Sequence, residues 1–411
     1  MPSAVTPSPY QAFLKNEDEA KYLWTTADDG SSTSRALTHF ERMFVIFNQD
    51  LYGQNCPFIG ASLTLKNSSS EPSTFELATL QQRATNAFVQ TRWAYPSIAA
   101  RVIDGDKAVY DIENDEGIEA WAKRTVKVVS AEGGWLALRE KLSRTTPIPS
   151  QDGDYCLMYI IIPPSKDERI DSFDILMHTH HVFTDGAGIR SILNEFLERF
   201  AVPLAEKATV WGKETERLLP PSLLLEKDDE PELPAGESQK VRLKGFAKPD
   251  IGLPVYRPDI HAPTPELRGT LLVAHTFPDT FLPNLLNVGR AHGVKLTSVL
   301  HASLLKAIYD SAETKPASDD LYKSGSAMDL RNGYMYPEYC EKRKYVNSAV
   351  AIQPMDVPCS LFMGETGDGK EFWKAAEYVR NEWAGIQKKR GIAKATERDA
   401  KGFIANWANM K

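Results

Sequence analysis

Three of the chain's eight histidines fall within four residues: His178, His180 and His181, in the stretch MHTHHVFTDGAG at 177–188. An imidazole has an ordinary pKa near ~6.5, so at neutral pH it is mostly unprotonated and can take a proton from a hydroxyl, an amine or a thiol. General-base chemistry is therefore one reading of the cluster, and a pair of hydrogen-bonded core histidines is the plainer one. Metal ligation is a third, because His178-Thr-His180 followed by Asp185 matches the spacing HxHxxxxD. A two-metal hydrolase would need further ligands well downstream. The remaining histidines (His39, His261, His275, His292 and His301) include none in a Gly- or Asp-flanked loop of that kind. His275 reads as a strand residue, and His292 and His301 read as helical. A Ser or Cys nucleophile served by histidine lacks both a GxSxG elbow and a cysteine in a polar turn.

Two elements must hold this cluster. Residues 172–179 read as a strand, so alternation puts His178 and His180 on one face and His181 on the other if the strand reaches that far. Residues 186–201 read as a helix whose apolar positions, Ile189, Ile192, Leu193, Phe196, Leu197 and Phe200, form one stripe. Asp185 is a good N-cap for it, and Gly186 and Gly188 let the backbone pass close to a neighbour. Reactive groups at a strand-to-helix turn project from the sheet edge into whatever cleft lies there.

Elsewhere the pattern is mixed helix and strand on either side of a linker. The first 35 residues are polar and read as an arm or loose first helix. Phe40, Phe44 and Phe47 have helical periodicity, and an extended stretch, Phe58 to Leu65, follows. Residues 75–92 read as a helix, and Pro96–Ile103 with Ala108–Ile112 read as a hairpin around Asp104-Gly-Asp106. A helix around 134–142 and a strand at 155–162 come next. The crossover carries an acidic run (Glu226, Asp228, Asp229, Glu230) and many prolines. Beyond it, 271–277 reads as a strand, Asp279 caps one helix, and Thr297 caps another over 298–309. Residues 327–330 and 345–352 read as strands, and 371–390 as a long helix holding Trp373, Tyr378 and Trp383. Gly364 to Lys370 matches GxxxxGK, but Glu371 stands where a phosphate loop needs Ser or Thr, so a solvated loop is expected.

Composition narrows the partners. The 411 residues are 42% hydrophobic and 25% charged with a net charge of −7. That balance argues against nucleic acid as the main partner. The longest apolar run, Tyr155 to Ile162, is far short of the ~18 residues of a membrane span. The N-terminus lacks a basic flank with an apolar run behind it, which argues against a secretory signal. Four scattered cysteines (Cys56, Cys156, Cys340, Cys359) form neither a disulfide framework nor a CxxC site, pointing to a reducing, cytoplasmic setting.

His180-His181-Val-Phe-Thr-Asp185-Gly186 matches HHxxxDG, and on it the chain resembles the chloramphenicol-acetyltransferase-like superfamily of condensation domains, BAHD acyltransferases and fungal O-acetyltransferases. Weaker matches follow in the family's order: Gly293-Val-Lys-Leu-Thr-Ser, Asp329-Leu-Arg331, and Tyr345-Val-Asn347-Ser-Ala-Val. Within the superfamily it looks most like fungal trichothecene 15-O-acetyltransferases and related alcohol acetyltransferases. The fold implied is α/β, with two pseudo-symmetric lobes, each a mixed sheet with flanking helices, and a tunnel between them. The division expected is a first lobe over 1–205, a crossover over 206–268 and a second lobe over 269–411.

The resemblance implies roles. His181 would be the general base that deprotonates an acceptor hydroxyl as it attacks a thioester carbonyl. Asp185 would point away from substrate and pair with an arginine, for which Arg331 is the candidate. Gly186 would give the loop room and offer a backbone N–H to the oxyanion. His180 would be structural, and Asn347 would hydrogen bond at the lobe interface. Acyl-CoA would be a co-substrate with no resident cofactor or metal, the acceptor a small secondary-metabolite alcohol, and the protein a monomer. A condensation-type relative using a carrier protein, a non-catalytic relative, and a metal-dependent hydrolase are the alternatives. No DFGWG motif and no strand follow the last helix, 400–411, so the second lobe is expected to be truncated or reduced.

Overall fold

The computed structural model describes residues 9–50, 55–66, 73–164, 169–202, 210–227, 273–312, 315–341, 344–364 and 369–410. Its first lobe begins with strands β1 (Thr25–Thr26) and β2 (Ser32–Ala36) and helix α1 (His39–Asp50). Thr38 and Glu41 form a reciprocal box at the start of α1: Glu41 N–H donates to Thr38 Oγ1 at 3.2 Å, and Thr38 N–H donates to Glu41 Oε2 at 2.9 Å. Strands β3 (Phe58–Thr64) and β4 (Phe75–Glu76) precede helix α2 (Leu77–Ala94), and β5 (Arg101–Ile103) and β6 (Lys107–Asp111) follow it. Helix α3 (Asp115–Thr125), β7 (Val126–Ser130), helix α4 (Gly134–Thr145), β8 (Cys156–Ile162), β9 (Arg169–Ile170), β10 (Ser172–Thr179) and helix α5 (Gly186–Ala201) complete the lobe.

The sheet that carries the histidines runs β3-β10-β8-β7. β10 is antiparallel to both neighbours, and β7 is parallel to β8. Both faces of this sheet are covered, which is why β8 is an unbroken apolar run. Met158, Ile160, Ile175 and Met177 face α2, α3 and α5, packing on Phe88, Trp121, Ile189, Ile192 and Phe196. Leu157, Tyr159, Ile161 and Leu176 face the other way onto Leu138 and Leu142 of α4. Each α5 side chain buried in that stripe contributes on the order of 1.5–3 kcal/mol relative to exposure. The histidine loop thus leaves the most deeply buried strands of the lobe.

The second lobe holds helices α6 (Phe281–Ala291) and α7 (Leu296–Ser311), strand β11 (Leu321–Asp329), helix α8 (Pro337–Cys340), strand β12 (Val350–Pro358), and helices α9 (Lys370–Gln387) and α10 (Ile392–Met410). Among the described residues its sheet is the antiparallel pair β11-β12. Val299, Ala302 and Leu305 of α7 and Ala375, Ala376 and Val379 of α9 pack against it. Trp373, Tyr378 and Trp383 lie against the same core, as their helical spacing predicts. No helix among the described residues is long and apolar enough to cross a membrane.

Several expectations are corrected. Pro96–Ala99 is a 3-10 turn, and extended backbone begins at Arg101. Residues 273–277 form no strand, because among the described residues no strand pairs with them and Val273 is 83% exposed; residues 271 and 272 lie outside the described residues. His275 accordingly sits in irregular backbone. Thr280 and Lys295, in place of Asp279 and Thr297, occupy the N-cap positions of α6 and α7, and neither makes a side-chain cap bond. β12 begins at Val350, so 345–349 are not strand. The expected crossover falls partly outside the described residues, at 206–209 and 228–268, as do residues 365–368 of the GxxxxGK match. Its described part, 210–227, is anything but loose. Tyr110 Oη donates to Glu214 Oε1 at 2.9 Å, Trp24 Nε1 donates to the Leu219 carbonyl at 2.9 Å, and the Glu226 carboxylate accepts from Ala393 and Lys394 N–H at the start of α10.

Candidate active site

β10 ends at Thr179, and the chain then turns through His180–Thr184 into α5. His180 N–H donates to the Tyr155 carbonyl at 2.9 Å, which pins the loop to the neighbouring strand. Asp185 caps the helix: its Oδ1 accepts from Ala187 N–H at 3.0 Å and Gly188 N–H at 2.8 Å. The expected cap is therefore the one observed.

The three histidines have different surroundings. His178 is buried and stacks on Phe58 at 3.9 Å, and burial, with His180 nearby, pushes its imidazole down to about 3. His180 is buried too; its Nδ1 accepts from Val182 N–H at 3.0 Å, and burial, with His181 beside it, pushes it to about 3. Both stay neutral at any physiological pH. His181 lies past the strand end and is half-buried. Burial lowers its imidazole, while backbone groups of His181 and Thr184 and the Asp185 charge push the other way. Its ring stacks on Phe44 with centroids 4.0 Å apart and planes 3° apart, and its Nδ1 is buried without a hydrogen bond of good geometry among the described residues.

Asp185 and Arg331 meet across the lobes. Arg331 Nη1 and Nη2 both stand 3.1 Å from Asp185 Oδ2, and Nη2 is 3.2 Å from Oδ1. Arg331 also donates from Nε to the Tyr345 carbonyl at 2.7 Å, from Nη2 to the Asn347 carbonyl at 2.6 Å, and from Nη1 to Asp329 Oδ1 at 2.8 Å. Ala349 N–H adds a 2.7 Å bond to Asp185 Oδ2. Here is the reason that 345–349 are not strand: their carbonyls and N–H groups serve Arg331 and Asp185 instead of a ladder. Asp185 spends both oxygens on N–H groups and a guanidinium, so its part in HxHxxxxD is structural. Among the described residues no three His, Cys, Asp or Glu side chains converge to hold a metal.

The remaining site residues separate into two groups. Asn347 Nδ2 donates to the Leu219 carbonyl at 3.2 Å, tying the second lobe to the crossover. Gly186 has open space where a Cβ would stand, so the expectation that it makes room for the loop is corrected. Gly188 does that instead: a Cβ there would lie 2.0 Å from the Val346 carbonyl oxygen and 2.4 Å from Thr184 Oγ1. Thr184 Oγ1 donates to that same carbonyl at 2.9 Å, and Val346 is buried in the first lobe's core. Gly186 is the first residue of α5, where helix N–H groups lack intrahelical partners and the dipole favours negative charge.

Phe44 and Thr184 were not legible as site residues, whereas Gly188 makes the close backbone approach expected of it. Phe44 shows only helical periodicity, and the contact that distinguishes it is with a residue far along the chain. A cavity at the lobe seam, lined in part by Thr38, Glu41, Leu330, Ser348 and Thr396, adjoins the Asp185 junction. The Ser348 and Thr396 hydroxyls are buried there without a hydrogen-bond partner among the described residues.

This arrangement has counterparts. The acetyltransferase pigO of Monascus ruber is 25% identical over 254 residues, covering 60% of this chain and 50% of its own, so the chain spans about half the length of that curated relative. The structure of TRI3 trichothecene 15-O-acetyltransferase from Fusarium sporotrichioides superposes with a TM-score of 0.75 over 94% of this chain and 79% of its own, at 16% identity. TRI101 of F. graminearum, crystallised with coenzyme A and T-2 mycotoxin, gives 0.52 over 92% and 78%, at 11% identity. These two likenesses establish the two-lobed fold. The family model described as 15-O-acetyltransferase Tri3 matches residues 18–240, more than half the chain and including the histidine loop, and the chain belongs to that family.

Proposed function

We propose that the protein is a CoA-dependent O-acyltransferase that moves an acetyl or similar acyl group from a CoA thioester to a hydroxyl of a small secondary-metabolite alcohol of trichothecene or polyketide type. The observation that carries this reading is the pairing of a neutral, half-buried imidazole, His181, with a loop locked from behind by the Asp185–Arg331 ion pair. Support for the donor and acceptor comes from the relatives, one a trichothecene 15-O-acetyltransferase and one crystallised with coenzyme A and T-2 mycotoxin.

In this mechanism His181 Nε2 takes the proton of the acceptor hydroxyl as its oxygen attacks the thioester carbonyl. The tetrahedral oxyanion forms near Gly186 N–H at the start of α5. Collapse breaks the C–S bond, and the imidazolium returns its proton to the departing thiolate, leaving ester and free CoA. A thioester is already activated, so positioning two substrates and moving one proton is the main task. Asp185 takes no proton and holds the loop. The protein's four free cysteines suit a reducing, cytoplasmic setting.

The test is incubation with acetyl-CoA and a panel of sesquiterpenoid and polyketide alcohols, reading free thiol and product mass. His181→Ala should lower transfer by at least ~10²–10⁴-fold with the fold intact. Near-wild-type turnover in that variant would exclude His181 as the base. Turnover only with a carrier-tethered thioester would replace CoA by a carrier protein as donor.

A further inference from the structure

A histidine base is usually oriented by a hydrogen bond from its second ring nitrogen to a carboxylate or carbonyl. At His181 the Asp185 carboxylate is turned to Arg331, and backbone groups of His181 and Thr184 favour the charged ring, with Nδ1 in no hydrogen bond of good geometry among the described residues. What lies flat against the ring is Phe44, 4.0 Å away and within 3° of parallel. Two neutral rings gain little from a full face-to-face sandwich. An imidazolium over a phenyl face gains a cation–π attraction, and that gain is larger when the site is desolvated. The stacking therefore favours the form of His181 that exists only after it has taken a proton.

Phe44 is itself held firmly. It is buried, meets Phe40 edge-on at 5.0 Å, and packs in a cluster with Met43 and Ala400. Its helix is fixed at the start by the Thr38–Glu41 box. From α10, the Glu397 carboxylate accepts from His39 N–H and Phe40 N–H and pairs with His39 Nδ1. Among the described residues Asp185 is the charge that acts on the His181 imidazole, and Arg331 from the second lobe compensates it. His180 is neutral, and Glu41, on the same helix as Phe44, is compensated by Arg35.

We propose that Phe44 is the positioning residue for His181: its ring, beside the backbone groups of His181 and Thr184, sets the imidazole plane and stabilises the imidazolium formed when the acceptor hydroxyl loses its proton. The consequence for turnover rests on the acyltransfer reading above; the consequence for His181 protonation does not.

The experiment is an NMR pH titration of His181 in the full-length protein, its resonances assigned with His181→Gln, beside steady-state kinetics with acetyl-CoA. Phe44→Leu, and Phe44→Met should the first fold poorly, should lower the His181 pKa by about half to one and a half units. kcat should fall about tenfold while KM for acetyl-CoA stays within about twofold, and Phe44→Tyr should restore both the pKa and kcat. An unchanged His181 pKa in Phe44→Leu and Phe44→Met overturns the proposal, whatever the activity. Loss of activity alone, with Phe44→Tyr as poor as Phe44→Leu, overturns it too. If wild type transfers no acyl group to any alcohol, the acyltransfer reading fails while the titration still decides the role of Phe44.

Discussion

Asp185 and Arg331 are 146 residues apart in the chain, yet each Asp185 oxygen accepts from the Arg331 guanidinium at the seam between the lobes. Neither group is spare. Asp185 also closes the first turn of α5 and receives Ala349 N–H, and Arg331 also holds the carbonyls of Tyr345 and Asn347. A buried pair of this kind need not add much net stability, since desolvating both charges costs nearly what their attraction returns. Removing one partner is different, because it strands the other charge.

Asp185→Asn keeps an oxygen for the helix cap but removes the charge opposite Arg331. The expected cost is about 3–5 kcal/mol, seen as a lower apparent melting temperature and urea midpoint together with lost activity. Asp185→Asn combined with Arg331→Met should cost less than the sum of the two single changes. A loss of activity with unchanged stability would move Asp185 from the scaffold to the substrate.

The histidine loop and its supports were legible because their signals are local. An apolar run bounded by turns marks β8 and β10, the 3.6 period marks α5, and Asp185 stands where a cap belongs. The backbone at 345–349 was misread as strand for a nonlocal reason: β-like residue types were diverted to hydrogen bond an arginine and an aspartate. Gly186 and Gly188 look equivalent in the sequence, and only the Val346 carbonyl, from the other lobe, tells them apart. The described crossover read as linker because an acidic run and many prolines follow it in the sequence, while its partners, Tyr110, Trp24 and α10, cannot be seen there.

That difference between the glycines can be measured. Gly188→Ala places a methyl against backbone and against Thr184, neither of which can retreat without breaking the Thr184–Val346 bond. It should lower stability by several kcal/mol, with poor soluble yield or a strongly reduced melting temperature. Gly186→Ala meets open space at a helix start and should fold as well as wild type or better, by up to about 1 kcal/mol. The reverse ranking in thermal melts would show that the loop packs otherwise.

His178 and His180 make stability depend on acid in a defined window. Their folded-state pKa values are pushed to about 3, below the ~6.5 of an unfolded chain, so the unfolded state binds more protons between those values. The neutral, buried form is therefore fully favourable above about pH 6.5, and its contribution is lost as pH falls towards 3. By linkage each histidine should withdraw roughly 2 kcal/mol between pH 7 and pH 5, before most carboxylates begin to titrate. His178 stacks on Phe58 and its Nδ1 has no hydrogen-bond partner among the described residues, so an apolar side chain can take its place. His178→Leu should thus melt with a visibly weaker pH dependence than wild type over pH 7 to 5, the two curves converging or crossing at the acid end. Parallel curves for the two proteins would mean that His178 is solvated or protonated in the folded state.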